Sequence, residues 1–239
     1  ALDTLTTLSC QPGVQIALES SEELVESLVD CADDQADFLS EHIQEVSDVI
    51  SIRSYEDVTR GCQSEHTSLA DVHEFGSLDY ELDRAVDRLI CITTILRNLS
   101  FSESNFDPLG VPSVTQCFAN VFRNIGTRDK YLRTDQNLLD FMKDAVMFMS
   151  NLAHAMQIPG KEEALSLLHF LLAFSPLPGP TTVKPGQIMF TPFNPSIHRY
   201  TPAAVDGLAK LLARDDPNRI YFGSIFSGDG SAPPQPELL

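Results

Sequence analysis

Residues 86–101 read Val86-Asp87-Arg88-Leu89-Ile90-Cys91-Ile92-Thr93-Thr94-Ile95-Leu96-Arg97-Asn98-Leu99-Ser100-Phe101, and this stretch decides the fold. Its apolar side chains recur at three- and four-residue spacing, the period of an α-helix. They cover most of the circumference rather than one stripe, which predicts a helix over Tyr80–Phe101 buried on nearly all sides. Such a helix needs other helices packed around it, and Leu89, Ile92, Leu96 and Leu99 are the expected core of that packing.

The flanking chain supplies them. The same periodicity predicts helices over Val111–Ile125, Leu138–Met156 and Lys161–Phe174, with Phe101 to Gly110 as a loop. Upstream, Ser20-Ser21-Glu22-Glu23 has the form of a capping box opening a helix whose inner face is Leu24, Val25, Leu28 and Val29. A second helix is expected with Phe38, Leu39, His42, Ile43, Val46, Val49 and Ile50 on one side. Residues 63–77 are polar and read as a loop or linker. Six prolines in 175–200 exclude helix for most of that stretch, which reads as an extended strap along the surface. Thr201-Pro202 supplies an N-cap and first-turn proline for a helix reaching Arg214, with Leu208 and Leu211 inward. Asp215-Asp216-Pro217 stops it, and a short helix follows over Arg219–Phe226. The organisation is therefore 1–62 acidic N-terminal helices, 63–77 loop or linker, 78–226 helical core with the strap 175–200, and 227–239 a flexible tail.

Charge is regional. The 239 residues carry 34 acidic and 16 basic side chains, a net of -18, and residues 1–83 hold 20 of the acids against only Arg53 and Arg60. From Arg84 onward acids and bases balance at 14 each. Binding to nucleic acid or an anionic membrane through this chain is not expected, because both need clustered Lys and Arg. Five cysteines at 10, 31, 62, 91 and 117, never spaced C-x-x-C, read as reduced thiols in an intracellular protein. No apolar run reaches membrane-spanning length. The start at Ala1, without Met or signal-peptide profile, reads as a piece of a longer protein.

The decisive stretch recurs. Ile92-x-x-Ile95-Leu96-x-Asn98-Leu99-Ser100 aligns with Ala145-x-x-Phe148-Met149-x-Asn151-Leu152-Ala153, asparagine included. Ala204-x-x-Gly207-Leu208-x-Lys210-Leu211 is a third copy with Asn lost, and Ala164-x-x-Leu167-Leu168-x-Phe170-Leu171 a weaker fourth. Separations of 53 and 59 residues exceed the roughly 40–47 of regular armadillo or HEAT units, and loops 101–110 and 175–200 take up the excess. Helices of this Asn-Leu type resemble the third helix of armadillo repeats. The run Ile95-Leu96-Arg97-Asn98-Leu99-Ser100-Phe101 with Asn105 and Pro108-Leu109 resembles more specifically the armadillo core of the large ARID-family subunit of SWI/SNF chromatin remodellers, in its fungal form. Phe190-Thr191-Pro192-Phe193-Asn194-Pro195 and Leu212-Ala213-Arg214-Asp215-Asp216-Pro217-Asn218-Arg219 carry the same likeness, which covers residues 85–226; residues 1–84 match nothing identified. The resemblance implies an all-α, armadillo/HEAT-like right-handed solenoid of irregular repeats, and a nuclear, non-enzymatic scaffold whose partners are other remodeller subunits. DNA contact would belong to an ARID domain that this chain does not show. Peptide-binding armadillo importers are a poorer match, since their groove tryptophans are replaced here by Thr94 and Met147.

Candidate binding residues follow from the repeat. Asn98 and Asn151 could each donate to and accept from a partner's extended backbone, or bond a neighbouring repeat's loop, the commoner use. The strap residues Phe190, Phe193 and Tyr200, with Ile188, Met189 and Ile197, pack along their own solenoid or are covered by a partner. Tyr221 and Phe222, with Ile220, Ile225 and Phe226, lie on a final helix with nothing after it to cover its apolar side, so further repeats or a partner are expected there. The acidic surface of 19–83 is a docking face for basic helices or histone tails, or a solvated face that keeps an assembly protein soluble. Phe148 and Leu152 belong to the expected core. No nucleotide, zinc or hydrolase motif is present, so no catalytic residue, cofactor, metal or small-molecule substrate is expected. His42, His154 and His169 lack metal-ligand spacing, Met142, Met147, Met149 and Met156 read as gap fillers, and Asn98-Leu99-Ser100 is a false glycosylation match. An armadillo or HEAT adaptor of another pathway is the alternative, and a helical enzyme without a recognisable motif the more distant one.

Overall fold

A computed structural model describes residues 1–67, 72–176 and 192–227, and the regular structure among them is helical. The α-helices are α1 (Leu2–Cys10), α2 (Glu22–His42), α3 (Tyr55–Glu65), α4 (Leu78–Leu99), α5 (Phe106–Leu109), α6 (Pro112–Thr127), α7 (Asp135–Leu152), α8 (Lys161–Leu172), α9 (Thr201–Ala213) and α10 (Asn218–Phe226). One isolated bridge joins Glu45 to Arg128.

Packing follows from how much of each helix is apolar. The second half of α4 has no exposed residue, and α4 accordingly touches α1, α2 and α7. Contacts run in two successions, α1 to α4 to α7 to α9 and α2 to α6 to α8 to α10. The second is tied to the first where α2 meets α4 and where α9 meets both α8 and α10. Phe118 and Phe122 on α6, Phe141 and Phe148 on α7 and Phe170 on α8 are all fully buried. Phe122 and Phe170 stack face to face at 3.8 Å. Each such ring contributes about 1.5–3 kcal/mol by leaving water. Of the expected core, Leu89, Ile92, Leu96, Leu99, Leu152 and Leu211 are buried, while Leu208 is only half-buried.

Two buried asparagines tie successive connections together. Asn105 donates to the carbonyls of Ile16 (2.9 Å) and Leu99 (3.1 Å) and accepts from Leu18 N (3.0 Å). Asn218 repeats the clamp, donating to Met156 O (3.1 Å) and accepting from Ile158 N (3.0 Å). In both places one amide satisfies a carbonyl and the N–H two residues later, which backbone buried outside a helix requires.

Several expectations are corrected. The two early helices are one, α2, whose N-cap is Ser21 with no side-chain cap. Residues 43–50 are not helical: Ser47 Oγ accepts from Val49 N, a local bond that competes with the helix. The segment instead runs along the end of α6, where Val46 N and Ser47 N donate to Thr127 O and Ser51 N donates to Gly126 O. A Cβ at Gly126 would come within 2.6 Å of Ile50 Cγ2, so glycine permits this approach. A side-chain cap is found instead on α3, where Ser54 Oγ accepts from Asp57 N and donates to the Asp57 carboxylate. The loop expected over 63–77 begins later, because α3 reaches Glu65, and residues 68–71 lie outside the described ones. Within 101–110, expected as loop, α5 and a 3-10 turn at Glu103–Asn105 form. Thr201 does not cap α9; Tyr200 holds that position, and Thr201 Oγ1 donates to Phe174 O. The weaker fourth copy lies on α8, outside the succession of the other three. An all-round apolar helix has the same sequence pattern wherever it packs.

Candidate interaction surfaces

The asparagine position of the repeat reaches back to the preceding helix in all three strong copies. On α4, Asn98 Nδ2 donates to Ser9 Oγ and Cys10 Sγ at the end of α1, each at 3.0 Å. On α7, Asn151 Nδ2 donates to Ser100 Oγ at the end of α4, again at 3.0 Å. On α9, Lys210 Nζ donates to Ser150 O on α7 and to Asp206, both at 2.6 Å, and Ser150 Oγ also donates to Asp206. Helical spacing puts the position on the flank facing the previous helix, and the short polar residues at each helix end supply the acceptors. Arg97 donates to Asn98 Oδ1, which occupies that amide's acceptor too.

One turn along the same flank, α4 and α7 are cross-braced. Asp144 is 5% exposed and accepts from Thr94 Oγ1 and from Arg97 Nη1 at 2.7 Å. Burial raises its pKa, opposed by the Thr94 hydrogen bond and the Arg97 charge. With both oxygens engaged by neighbours, the carboxylate acts as a tie between helices rather than as an acid presented to a substrate. Asp206 is held low by Lys210. Burial and the nearby Asp33 push the Cys117 thiol well up, which makes it a poor nucleophile. All five cysteines are free, and no group of three metal-ligating side chains gathers among the described residues. No described helix is long and apolar enough to cross a membrane.

Four outward-facing areas stand out among the described residues. Between the ends of α1 and α4 a pocket is lined by Cys10, Gln15, Asn98, Phe101 and Ser102, with Phe101 61% exposed. At the described end of the strap, residues 192–200, Phe193 is exposed beside His198, whereas Tyr200 is half-buried against Tyr55. Phe190, Ile188 and Met189 lie outside the described residues. At the far end of the helix succession Val205, Leu212, Ile220 and Phe226 are exposed. Tyr221 is half-buried with its hydroxyl on Pro159 O, and Phe222, 2% exposed, points into the core and offers a partner no area. The fourth is the acidic side of α2, where Glu23, Glu26, Asp30, Asp34, Asp37 and Glu41 are all exposed.

In the sequence Asn105 and Asn218 stand out only as marks of likeness, although they hold the connections. Helix α1 does not stand out at all. The signal was Leu2-x-x-Leu5-x-x-Leu8, but nine residues are too few for periodicity to stand out.

The sequence matches no family model. It is 26% identical, over an alignment of 253 residues, to the SWI/SNF chromatin-remodeling complex subunit sol1 of Schizosaccharomyces pombe, covering 96% of this chain and 29% of that protein. It is 28% identical over 145 residues to the SWI/SNF chromatin-remodeling complex subunit SWI1 of Saccharomyces cerevisiae, covering 58% of this chain and 11% of that protein. The chain thus spans less than a third of the length of either relative, and both relatives are SWI/SNF complex subunits.

Proposed function

We propose that this chain is part of the armadillo-like core of a large ARID-family SWI/SNF subunit. It works in the nucleus as a non-enzymatic scaffold that holds other remodeller subunits. The observation that carries this reading is the likeness to sol1, which runs through 96% of the chain and so includes the acidic third as well as the repeat. The helix successions support a solenoid, because stacked units that each contact only their neighbours produce this pattern. The mechanism is surface presentation. Asparagine clamps and helix-to-helix ties fix a rigid face, partners bury apolar area on it, and another chain supplies the ATP chemistry. Nucleic acid is not among the partners of this segment, whose net charge is -18.

Affinity capture of the tagged full-length protein from nuclear extract tests the reading. Recovery of a remodelling ATPase with its accessory subunits is the expected result. Capture of an unrelated pathway's components, with no remodeller subunit, would assign the chain to an adaptor instead.

A further inference from the structure

The acidic side of α2 borders a built concavity. Glu26, Asp30, Asp33 and Asp37 follow one another at four- and three-residue spacing and form one stripe. Opposite them α6 presents Ser113, Gln116, Asn120 and Arg123. Two hollows follow in succession along these helices. The first has Val25, Val29, Pro108 and Val111 for its apolar lining and Glu19, Glu26, Asp30 and Asp107 at its rim. The second is lined by Asp33, Asp37, Ala119, Arg123, Glu162 and Glu163. Val111 is 37% exposed, so the apolar lining is open to an incoming side chain.

The charge here is unbalanced. Among the described residues no lysine or arginine pairs with Glu26, Asp30, Asp33, Asp37 or Asp107, and the one cation in either hollow, Arg123, stands 3.7 Å from Glu162. Burial raises the Asp33 pKa, with a hydrogen bond from Cys117 opposing it and the charges of Asp37, Asp30 and Asp34 adding to it.

We propose that the groove between α2 and α6 is the docking site for a cationic amphipathic segment of a partner protein, its apolar residues on Val111 and Pro108 and its lysines and arginines on the α2 carboxylates. Charge complementarity selects this occupant. A second copy of the chain would bring the same carboxylates, and nucleic acid would bring phosphates. The idea rests on the scaffold reading only in taking the occupant to be a protein, and the two fail separately. If capture recovers remodeller subunits while groove variants bind normally, only the groove is refuted.

The test measures binding of a labelled synthetic amphipathic helix, lysines on one face and leucines on the other, by fluorescence anisotropy at fixed salt. Glu26→Gln/Asp30→Asn/Asp37→Asn removes three exposed groove charges. Asp48→Asn/Glu81→Gln/Glu103→Gln removes the same number of exposed charges elsewhere. The groove variant should weaken binding roughly tenfold and the remote variant less than about twofold, since specific pairs act beyond the general field. Val111→Ser and a scrambled peptide of the same composition should each bind more weakly as well. Equal loss in both triple variants would reduce the effect to diffuse attraction and overturn the proposal, as would no loss in either or full binding by Val111→Ser. Thermal melts confirm that each variant is folded, and relief of repulsion should leave the groove variant at least as stable.

Discussion

At the residue scale the fold depends on amides that close gaps in the backbone ladder. Asn105, 1% exposed, satisfies two carbonyls and one N–H from two other stretches of chain, Ile16–Leu18 and the end of α4. Asn105→Ala leaves the buried Leu18 N and the half-buried Ile16 O without this partner and should cost about 3 kcal/mol in chemical denaturation, with Asn218→Ala behaving alike. Loss of less than about 1 kcal/mol would mean the clamp is replaceable by water. Tyr131 gives a pH signature. Burial pushes its phenol from 10.0 up to about 12, while its hydroxyl donates to Ala36 O. Because the folded pKa lies above the unfolded one, this contribution is complete below pH 10 and lost as pH rises from 10 towards about 12. Tyr131→Phe should flatten the alkaline fall in stability over that window; an unchanged profile would place the titration elsewhere. These residues show what sequence conveys. Leu89 and Leu96 declare themselves by period, whereas the role of Asn105 depends on a carbonyl 89 residues away that no local pattern marks.

At the element scale, apolar coverage identifies which helices are buried but not which neighbours bury them. The copies on α4, α7 and α9 pack in succession, while the similar pattern on α8 sits against α6 and α10. The misreading of 43–50 has a related cause. Ile43, Val46, Val49 and Ile50 have helical spacing, yet Ser47 and backbone bonds to Gly126 and Thr127 hold the segment extended. Helical spacing is insufficient where the chain finds other partners for its N–H groups. Leu96 tests the central element. It is 1% exposed within α4, and Leu96→Asp should remove more than about 4 kcal/mol and abolish the cooperative melt. An unchanged melting temperature would refute the placement of α4 at the centre of the packing.

At the scale of the whole molecule, the uneven charge acquires a location. All of the net -18 falls in residues 1–83, and much of it lines one side of α2. The neutral remainder provides the tied succession α4, α7 and α9, ending on exposed Val205, Leu212, Ile220 and Phe226. A surface with one acidic groove and one apolar end suits a chain that others dock upon. The most direct measurement is cross-linking mass spectrometry on the assembled complex isolated from nuclei. Lysines 130, 143, 161 and 210 are spread over the loop before α7, α7, α8 and α9, and report on those faces. The account predicts cross-links from them to several remodeller subunits, the ATPase among them. Cross-links confined to this chain, or joining it only to proteins outside a remodeller, would contradict it.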